Sequence, residues 1–137
     1  MKFLSIYQTA ETGVPPTQEE IAKMGKLIEE MSATGELIAT EGCLPSAKGA
    51  RVRRAGSKMT VIDGPFTESK EIVAGFALLE AKSKEHAIEM TKRFLQVAGD
   101  GICELRQVYM PGDLDAELAQ EAFKSKDKLR EQAASRR

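Results

Sequence analysis

The sequence has one histidine, two cysteines and no tryptophan. A zinc site needs several nitrogen or sulfur ligands at short spacing, so the single His86 and the widely separated Cys43 and Cys103 predict no metal centre. The same scarcity excludes a disulfide scaffold, and we interpret both cysteines as small buried apolar residues. We therefore expect neither a metal nor another cofactor.

The sequence also lacks a long apolar run and an excess of charge of either sign. Its 20 Lys and Arg residues against 21 Asp and Glu residues give a net charge of −1, so attraction to nucleic acid or to an anionic membrane is weak. No apolar run approaches the roughly 18 residues of a membrane span, and the N-terminus does not resemble a signal peptide. We therefore expect a cytoplasmic protein that binds neither nucleic acid nor membrane.

The hydrophobic periodicity of this 137-residue chain predicts one globular domain. Two helices are predicted, at 17–34 and between Ser83 and Gly99. The order of elements is two βαβ-like halves around a hairpin, which predicts an α+β, ferredoxin-like fold with both helices on one face of an antiparallel sheet. The predicted strands are 2–8, 36–43, 50–55, 58–63, 72–81 and 102–109.

A sheet with helices on one face only leaves its other face bare. We assign Leu4 and Ile6 of the first strand to the helices, and Phe3, Ser5 and Tyr7 to the bare face. Packing two such faces in a two-fold homodimer would enclose a partly polar cavity. A small polar ligand could bind there, and the candidate contacts are Ser5, Tyr7, Arg51, Lys70, Glu104 and Arg106. Equally, Glu104 and Arg106 could form only a solvated pair on an edge strand.

The segment from Asp63 to Glu71 has the densest cluster of charged residues. Asp63, Glu68 and Glu71 are candidate catalytic carboxylates, because neighbouring carboxylates or an apolar wall can raise a pKa into the range of general acid–base catalysis, and Lys70 could hold an anion. In the structural alternative Asp63 caps the turn and Phe66 fills the core. Composition alone favours the structural alternative.

Two further features have a functional and a structural interpretation. The basic stretch from Lys48 to Lys58 contains Arg51 and Arg53 on one strand face, which suits a planar anion, but we favour an edge hairpin that uses positive charge against sheet-to-sheet aggregation. His86, in the first turn of the second helix, is interpreted as a surface residue.

The character of the chain changes after Pro111. We divide it into a domain at 1–111 and a helical extension at 112–137. Leu114, Leu118 and Phe123 form an apolar stripe that is too thin to fold alone, so we expect the extension to dock on the domain or on a partner subunit.

The segment GARVRRAGSKMTVIDGPFTESKEIVAGFALLEAKSKEHAIEMTKRF resembles the DGPF-type branch of the YCII-related proteins. The segments KFLSIYQ, KMGKLIEEM, EGCLPSAKGARVR and ELRQVY extend the resemblance over about residues 1–111. It implies a ferredoxin-like fold that dimerises face to face, the dimeric α+β barrel.

The resemblance also implies a range of functions. The founding branch is similar to small enzymes with a proposed histidine–aspartate pair whose histidine lies near the start of the first helix. Glu19, Glu20 and Lys23 occupy that region here, so that mechanism does not carry over. The DGPF-type branch is similar to proteins encoded beside, or fused to, extracytoplasmic-function sigma factors. We therefore expect a ligand-binding or regulatory homodimer linked to such a sigma-factor system, with a small carboxylate enzyme as the alternative.

Overall fold

The computed structural model describes residues 1–136. The six predicted strands and the first two predicted helices are present, with ends displaced by at most two residues. In chain order the elements are β1 Lys2–Thr9, α1 Gln18–Ala33, β2 Leu37–Gly42, β3 Ala50–Ala55, β4 Lys58–Asp63, β5 Ile72–Glu80, α2 Lys84–Ala98, β6 Ile102–Gln107 and α3 Ala116–Ser135.

The first of two compact units, Met1–Gln107, contains an antiparallel sheet in the order β2-β5-β1-β6. The helices α1 and α2 pack on one face of it. This arrangement confirms the predicted α+β, ferredoxin-like fold. The hairpin of β3 and β4 is inserted between the two halves and forms a separate two-stranded sheet.

Local sequence signals explain where the two helices begin. The Thr17 hydroxyl accepts a hydrogen bond from the Glu20 backbone N–H at 3.1 Å, and the Ser83 hydroxyl accepts one from the His86 N–H at the same distance. Each bond satisfies an amide that the first helical turn leaves free. Gly99 ends α2 at φ 99°, a conformation that residues with a Cβ rarely adopt.

The core lies between the sheet and the two helices. Phe3 and Leu79 are 2% and 3% exposed, and they pack with Leu27 and Met31 of α1 and with Met90 of α2. The predicted orientation of β1 is therefore wrong, because the set of residues that contains Phe3 faces the helices. Both alternating sets of β1 contain apolar residues, so the period of the strand did not distinguish the two faces.

The helix-free face carries the other alternating set. Leu4 pairs with Leu78 on one side and Arg106 on the other, and Ile6 pairs with Phe76 and Glu104. Exposure on this face is 39% for Phe76 and 52% for Ile102 of β6. In the single chain an apolar patch with a charged margin is thus open to solvent.

The second unit begins at Val108, four residues before the predicted start of the extension. Its main element is α3, so the predicted C-terminal helix is present. Before the helix, the Asp113 carboxylate accepts a hydrogen bond from the Met110 N–H at 2.8 Å. Within the helix, the Lys126 ammonium lies 4.6 Å from the centre of the Phe123 ring.

Candidate ligand-binding cavity

A cavity of about 570 Å³ lies between the sheet and the helices α1 and α2. It exists because the helix-facing positions of three adjacent strands carry little bulk: Ser5 pairs with Ala77, and Gly42 pairs with Gly75. Gly75 has to be glycine, because a Cβ there would lie 2.7 Å from the carbonyl oxygen of Glu41. Since side chains this small cannot reach the helices, the layer between them is incompletely filled.

The walls of the cavity are mostly apolar. Its inner end is formed by buried side chains of both helices and the sheet, among them Leu27, Met31, Leu79 and Met90. Its outer end is formed by exposed residues, of which Glu20 in the first turn of α1 is charged. Glu41 of β2 pairs with Phe76, so its side chain lies on the helix-free face and its backbone lines the cavity. The cavity is therefore apolar inside, and the Glu20 carboxylate is the one acidic side chain that the described residues place at its rim.

Tyr7 is held as a rigid part of the wall. Its hydroxyl donates a hydrogen bond to the Asp100 carbonyl at 2.7 Å, and its ring meets Phe94 edge to face, with 5.2 Å between the ring centres. Gly101 leaves room for the ring, because a Cβ there would lie 2.5 Å from Cε1 of Tyr7. These contacts orient Tyr7 without a ligand.

Two buried hydroxyls also line the cavity. Thr91 donates to the Ala87 carbonyl at 2.8 Å, so its hydrogen is already used within α2. Ser5 is hydrogen bonded to Cys103, where burial raises the pKa of the thiol and the Ser5 bond offsets part of that increase. Cys103 is half-buried and Cys43 is exposed, so the prediction that both cysteines are buried is wrong for Cys43.

The structure distributes the sequence-predicted site residues over several places. Ser5 and Tyr7 line the cavity. Glu104 and Arg106 lie on the opposite face of the sheet, where their side chains form an exposed pair at 3.4 Å. The predicted cavity, which joined Ser5 and Tyr7 with Glu104, is therefore not formed within one chain.

Arg51 lies in a second, shallower cleft that Lys48 also lines. Its guanidinium is stacked 3.9 Å from the centre of the Phe66 ring, and its Nη2 donates to the Ser69 hydroxyl at 3.4 Å. The other predicted residues of this region lie outside both cavities with exposed side chains: Asp63, Glu68, Lys70 and Glu71.

Three loops meet beside this cleft through one hydrogen-bond chain. The Glu11 carboxylate accepts hydrogen bonds from the backbone N–H and the hydroxyl of Ser46. The Ser46 hydroxyl oxygen in turn accepts a hydrogen bond from the Phe66 N–H at 3.1 Å. Gly64 lets the Ser46 loop approach, because a Cβ on Gly64 would lie 1.7 Å from the Ser46 carbonyl oxygen. Glu11 could not be recognised as a site residue from the sequence, since nothing in its neighbours marks an acid whose partner is 35 residues away.

His86, which the sequence suggests is a surface residue, is half-buried and paired. Its Nδ1 accepts a hydrogen bond from the Lys82 N–H at 3.0 Å, and its Nε2 lies 3.0 Å from a carboxylate oxygen of Glu36. Because Nδ1 accepts, the proton of the neutral ring is assigned to Nε2, which donates to Glu36. His86 does not line the cavity.

The pKa of Glu36 predicts that the stability of the protein depends on pH. A hydrogen bond from Thr34, aided by His86, lowers the pKa of the Glu36 carboxyl below its usual 4.5. A pKa lowered by folding stabilises the protein above the unfolded value, and this stabilisation is lost as pH falls through the folded value. We expect the loss in melting temperature caused by Glu36→Gln to be largest above about pH 5 and to shrink as the pH falls below this value.

Thermal unfolding of both proteins across this pH range measures the effect. Glu29→Gln, which changes an exposed carboxylate on α1, is the matched control and should leave the pH profile unchanged. A difference between wild type and Glu36→Gln that stays constant with pH contradicts the prediction.

Among residues 1–136, no three His, Cys, Asp or Glu side chains come together as a metal site requires. None of the helices in this part of the chain is both long and apolar enough to span a bilayer.

The sheet order and the one-sided helix layer define an α+β protein with a ferredoxin-like fold. Comparison with protein families matches the YCII-related domain over residues 1–110, so the chain belongs to the YCII-related family. An uncharacterized protein of Rhizobium meliloti (strain 1021) is 30% identical over 83 residues, which cover 58% of this chain and 67% of that protein.

Among solved structures, the fold is similar to that of 5-chloro-2-hydroxyhydroquinone dehydrochlorinase from Burkholderia phenoliruptrix AC1100, determined in complex with 2,5-dihydroxybenzoquinone. The TM-score is 0.52 at 13% identity, and the match covers 84% of this chain and 100% of that one. At this identity the likeness concerns the fold.

Proposed function

We propose that this protein is a homodimer that binds a small, mostly apolar molecule in the cavity between its sheet and its helices. The observation that carries the proposal is the cavity itself, with about 570 Å³ of space and largely apolar walls. Binding sites for small molecules have this size range and this kind of lining, with a few fixed polar groups. Because an empty apolar space costs a folded core stability, a ligand that fills it would stabilise the protein.

The rim indicates which end of the ligand is polar. Glu20, which is exposed at the outer end, supplies the carboxylate among the lining residues, since the Glu41 side chain lies on the helix-free face. Carboxylates accept hydrogen bonds and attract cations, so the ligand has an apolar body and a hydrogen-bond donor or a positive charge at one end. This chemistry replaces the small polar ligand that the sequence suggested.

The homodimer is supported by the helix-free face. Leu4, Ile6, Phe76 and Leu78 form paired apolar positions on two adjacent strands, where Phe76 is 39% exposed. Packing this face on its equivalent in a second copy is the two-fold solution for such a sheet.

An enzymatic role has less support. A carboxylate buried beside Tyr7 would favour acid–base catalysis, but in the described part of the chain the acidic residues that line the cavity, Glu20 and Glu41, are both exposed. Asp63, Glu68 and Glu71 are exposed in β4 and the loop that follows it.

We further assign the protein to the DGPF-type branch and to a regulatory role beside an extracytoplasmic-function sigma factor. The support is the sequence resemblance centred on Asp63–Phe66, the turn in which Gly64 makes its close approach to Ser46. Binding of a ligand in the cavity would be the signal that such a regulator reads.

Gly25→Leu tests the cavity as a binding site. Gly25 lines the cavity from α1, and a Cβ there meets nothing within 4 Å, so a leucine can enter the space without a backbone clash. Leucine also has a higher helix propensity than glycine, so the fold should be retained. We expect saturable binding of the neutral fluorescent probe N-phenyl-1-naphthylamine by the wild type and binding about tenfold weaker or more by Gly25→Leu.

The matched control is Ala22→Leu, which adds similar bulk at an exposed position of α1 outside the cavity lining. It should bind the probe as the wild type does. The proposal is wrong if the wild type shows no saturable binding, or if Gly25→Leu binds the probe with unchanged affinity.

A further inference from the structure

The β3–β4 hairpin is the least supported part of the Met1–Gln107 unit. All twelve residues of its two strands are exposed. An isolated two-stranded hairpin is at best marginally stable in water, and stability requires a further strand or a packed surface. The hairpin therefore needs a covering surface that the single chain does not supply.

One face of the hairpin is apolar. Val52 pairs with Val61, and Met59 follows on the same face opposite Arg54. Val52, Val61 and Met59 are 70%, 64% and 62% exposed. Bulky apolar side chains on adjacent strands form a contiguous patch, which is the kind of surface that marks a protein contact.

The charges of this region suggest what covers it. Among residues 1–136, its five basic side chains form no ion pair with a carboxylate. The carboxylates of Asp63, Glu68 and Glu71 likewise form no ion pair with a basic side chain in this part of the chain. A two-fold dimer contains both segments twice, so the basic hairpin of one copy can meet the acidic loop of the other. The five cations are Lys48, Arg51, Arg53, Arg54 and Lys58.

The size of the open sheet face points to the same partner. Four strands about 4.8 Å apart and about six residues long cover roughly 400 Å² per copy, or about 800 Å² for two copies. A stable interface buries about 1,200–2,000 Å², so this face alone is too small. One face of a two-stranded hairpin covers roughly 200 Å² and buries about the same area on the other copy. Two hairpins would therefore add a further area of about 800 Å².

We propose that the β3–β4 hairpin is a dimerisation arm that packs its Val52–Met59–Val61 face on a second copy of this chain. The arm extends the contact made by the helix-free sheet faces, so this inference rests on the homodimer of the proposed function. It also explains why an exposed hairpin has an apolar face and unpaired arginines.

Sedimentation and amide hydrogen exchange on the full chain test the arm. We expect the hairpin amides to exchange rapidly in dilute monomer and to be protected about tenfold or more when the concentration is raised until dimer predominates. The double variant Val52→Thr with Val61→Thr keeps the branched side-chain shape and removes the apolar face. It should weaken dimerisation about tenfold or more without lowering the melting temperature of the monomer.

Thr60→Val is the control, because Thr60 pairs with Arg53 on the other face of the hairpin. It should leave the dimer unchanged. A dimer whose hairpin amides stay unprotected, and which the double variant does not weaken, overturns the arm and leaves the homodimer standing. A chain that stays monomeric at every concentration overturns both, while probe binding in the cavity still reports separately on the ligand site.

Discussion

Replacing Gly64 with alanine is expected to destabilise the protein by about 3 kcal/mol, the upper end of the usual cost of overpacking. The added Cβ would lie 1.7 Å from the Ser46 carbonyl oxygen and 2.6 Å from its carbonyl carbon. Both are backbone atoms, so no side-chain rotation relieves the clash. Because the Gly64 N–H also donates to the Gly49 carbonyl at 3.0 Å, the two loops cannot separate without losing that bond.

Urea unfolding measures this loss, and Gly49→Ala in the same loop is the control. A Cβ on Gly49 would lie 3.6 Å from the Ser46 oxygen, an ordinary contact, and Gly49 has φ −119°, which any residue adopts. The control should therefore stay within about 0.5 kcal/mol of the wild type. Equal stabilities for the two variants would contradict the prediction, because only Gly64 faces a clash.

Local signals were sufficient to predict the elements of this fold. The Thr17 and Ser83 hydroxyls make the capping bonds that their positions indicated. The Gly56–Ser57 connection of the hairpin has φ 63° at Gly56 and no positive φ at Ser57, as a type II′ turn requires. Each of these features depends on residues within a few positions of one another, which is the range that sequence patterns cover.

The orientation of β1 depends on long-range pairing and was predicted wrongly. Phe3 faces the helices because its neighbours across the sheet are Leu79 on β5 and Gln107 on β6, and Leu79 belongs to the core. A strand with apolar residues on both faces suits either assignment, and only the partner strands distinguish them. The same error placed Ser5 and Tyr7 beside Glu104.

The cavity could not be predicted from patterns of apolar residues, because it results from missing volume. Ser5, Gly42, Gly75 and Ala77 come from three strands and leave one space only after pairing brings them together. The charged cluster near Asp63 shows the converse: its carboxylates are close in sequence, yet all remain exposed and line neither cavity. A high density of charged residues along the sequence is therefore a poor guide to a binding site, because the surrounding helices and strands decide whether those side chains are enclosed.

Replacing Phe3 with alanine is expected to cost about 3–5 kcal/mol, the range for a buried phenylalanine. Phe3 is 2% exposed and lies among Leu27, Met31, Leu79 and Met90, so its removal leaves a hole that both helices would have to close.

Phe66 is the matched comparison for Phe3. Its ring is half-buried and is covered on one side by the Arg51 guanidinium at 3.9 Å, so truncation leaves a site that solvent can enter. We expect Phe66→Ala to cost about 1 kcal/mol, the centre of the range for single substitutions. Urea unfolding of both variants decides the point, with Phe3→Leu as a milder substitution in case Phe3→Ala does not fold. Similar losses in the free energy of unfolding at the two positions would contradict this prediction. They would mean that Phe66 contributes as much to stability as Phe3 although its ring is only half-buried.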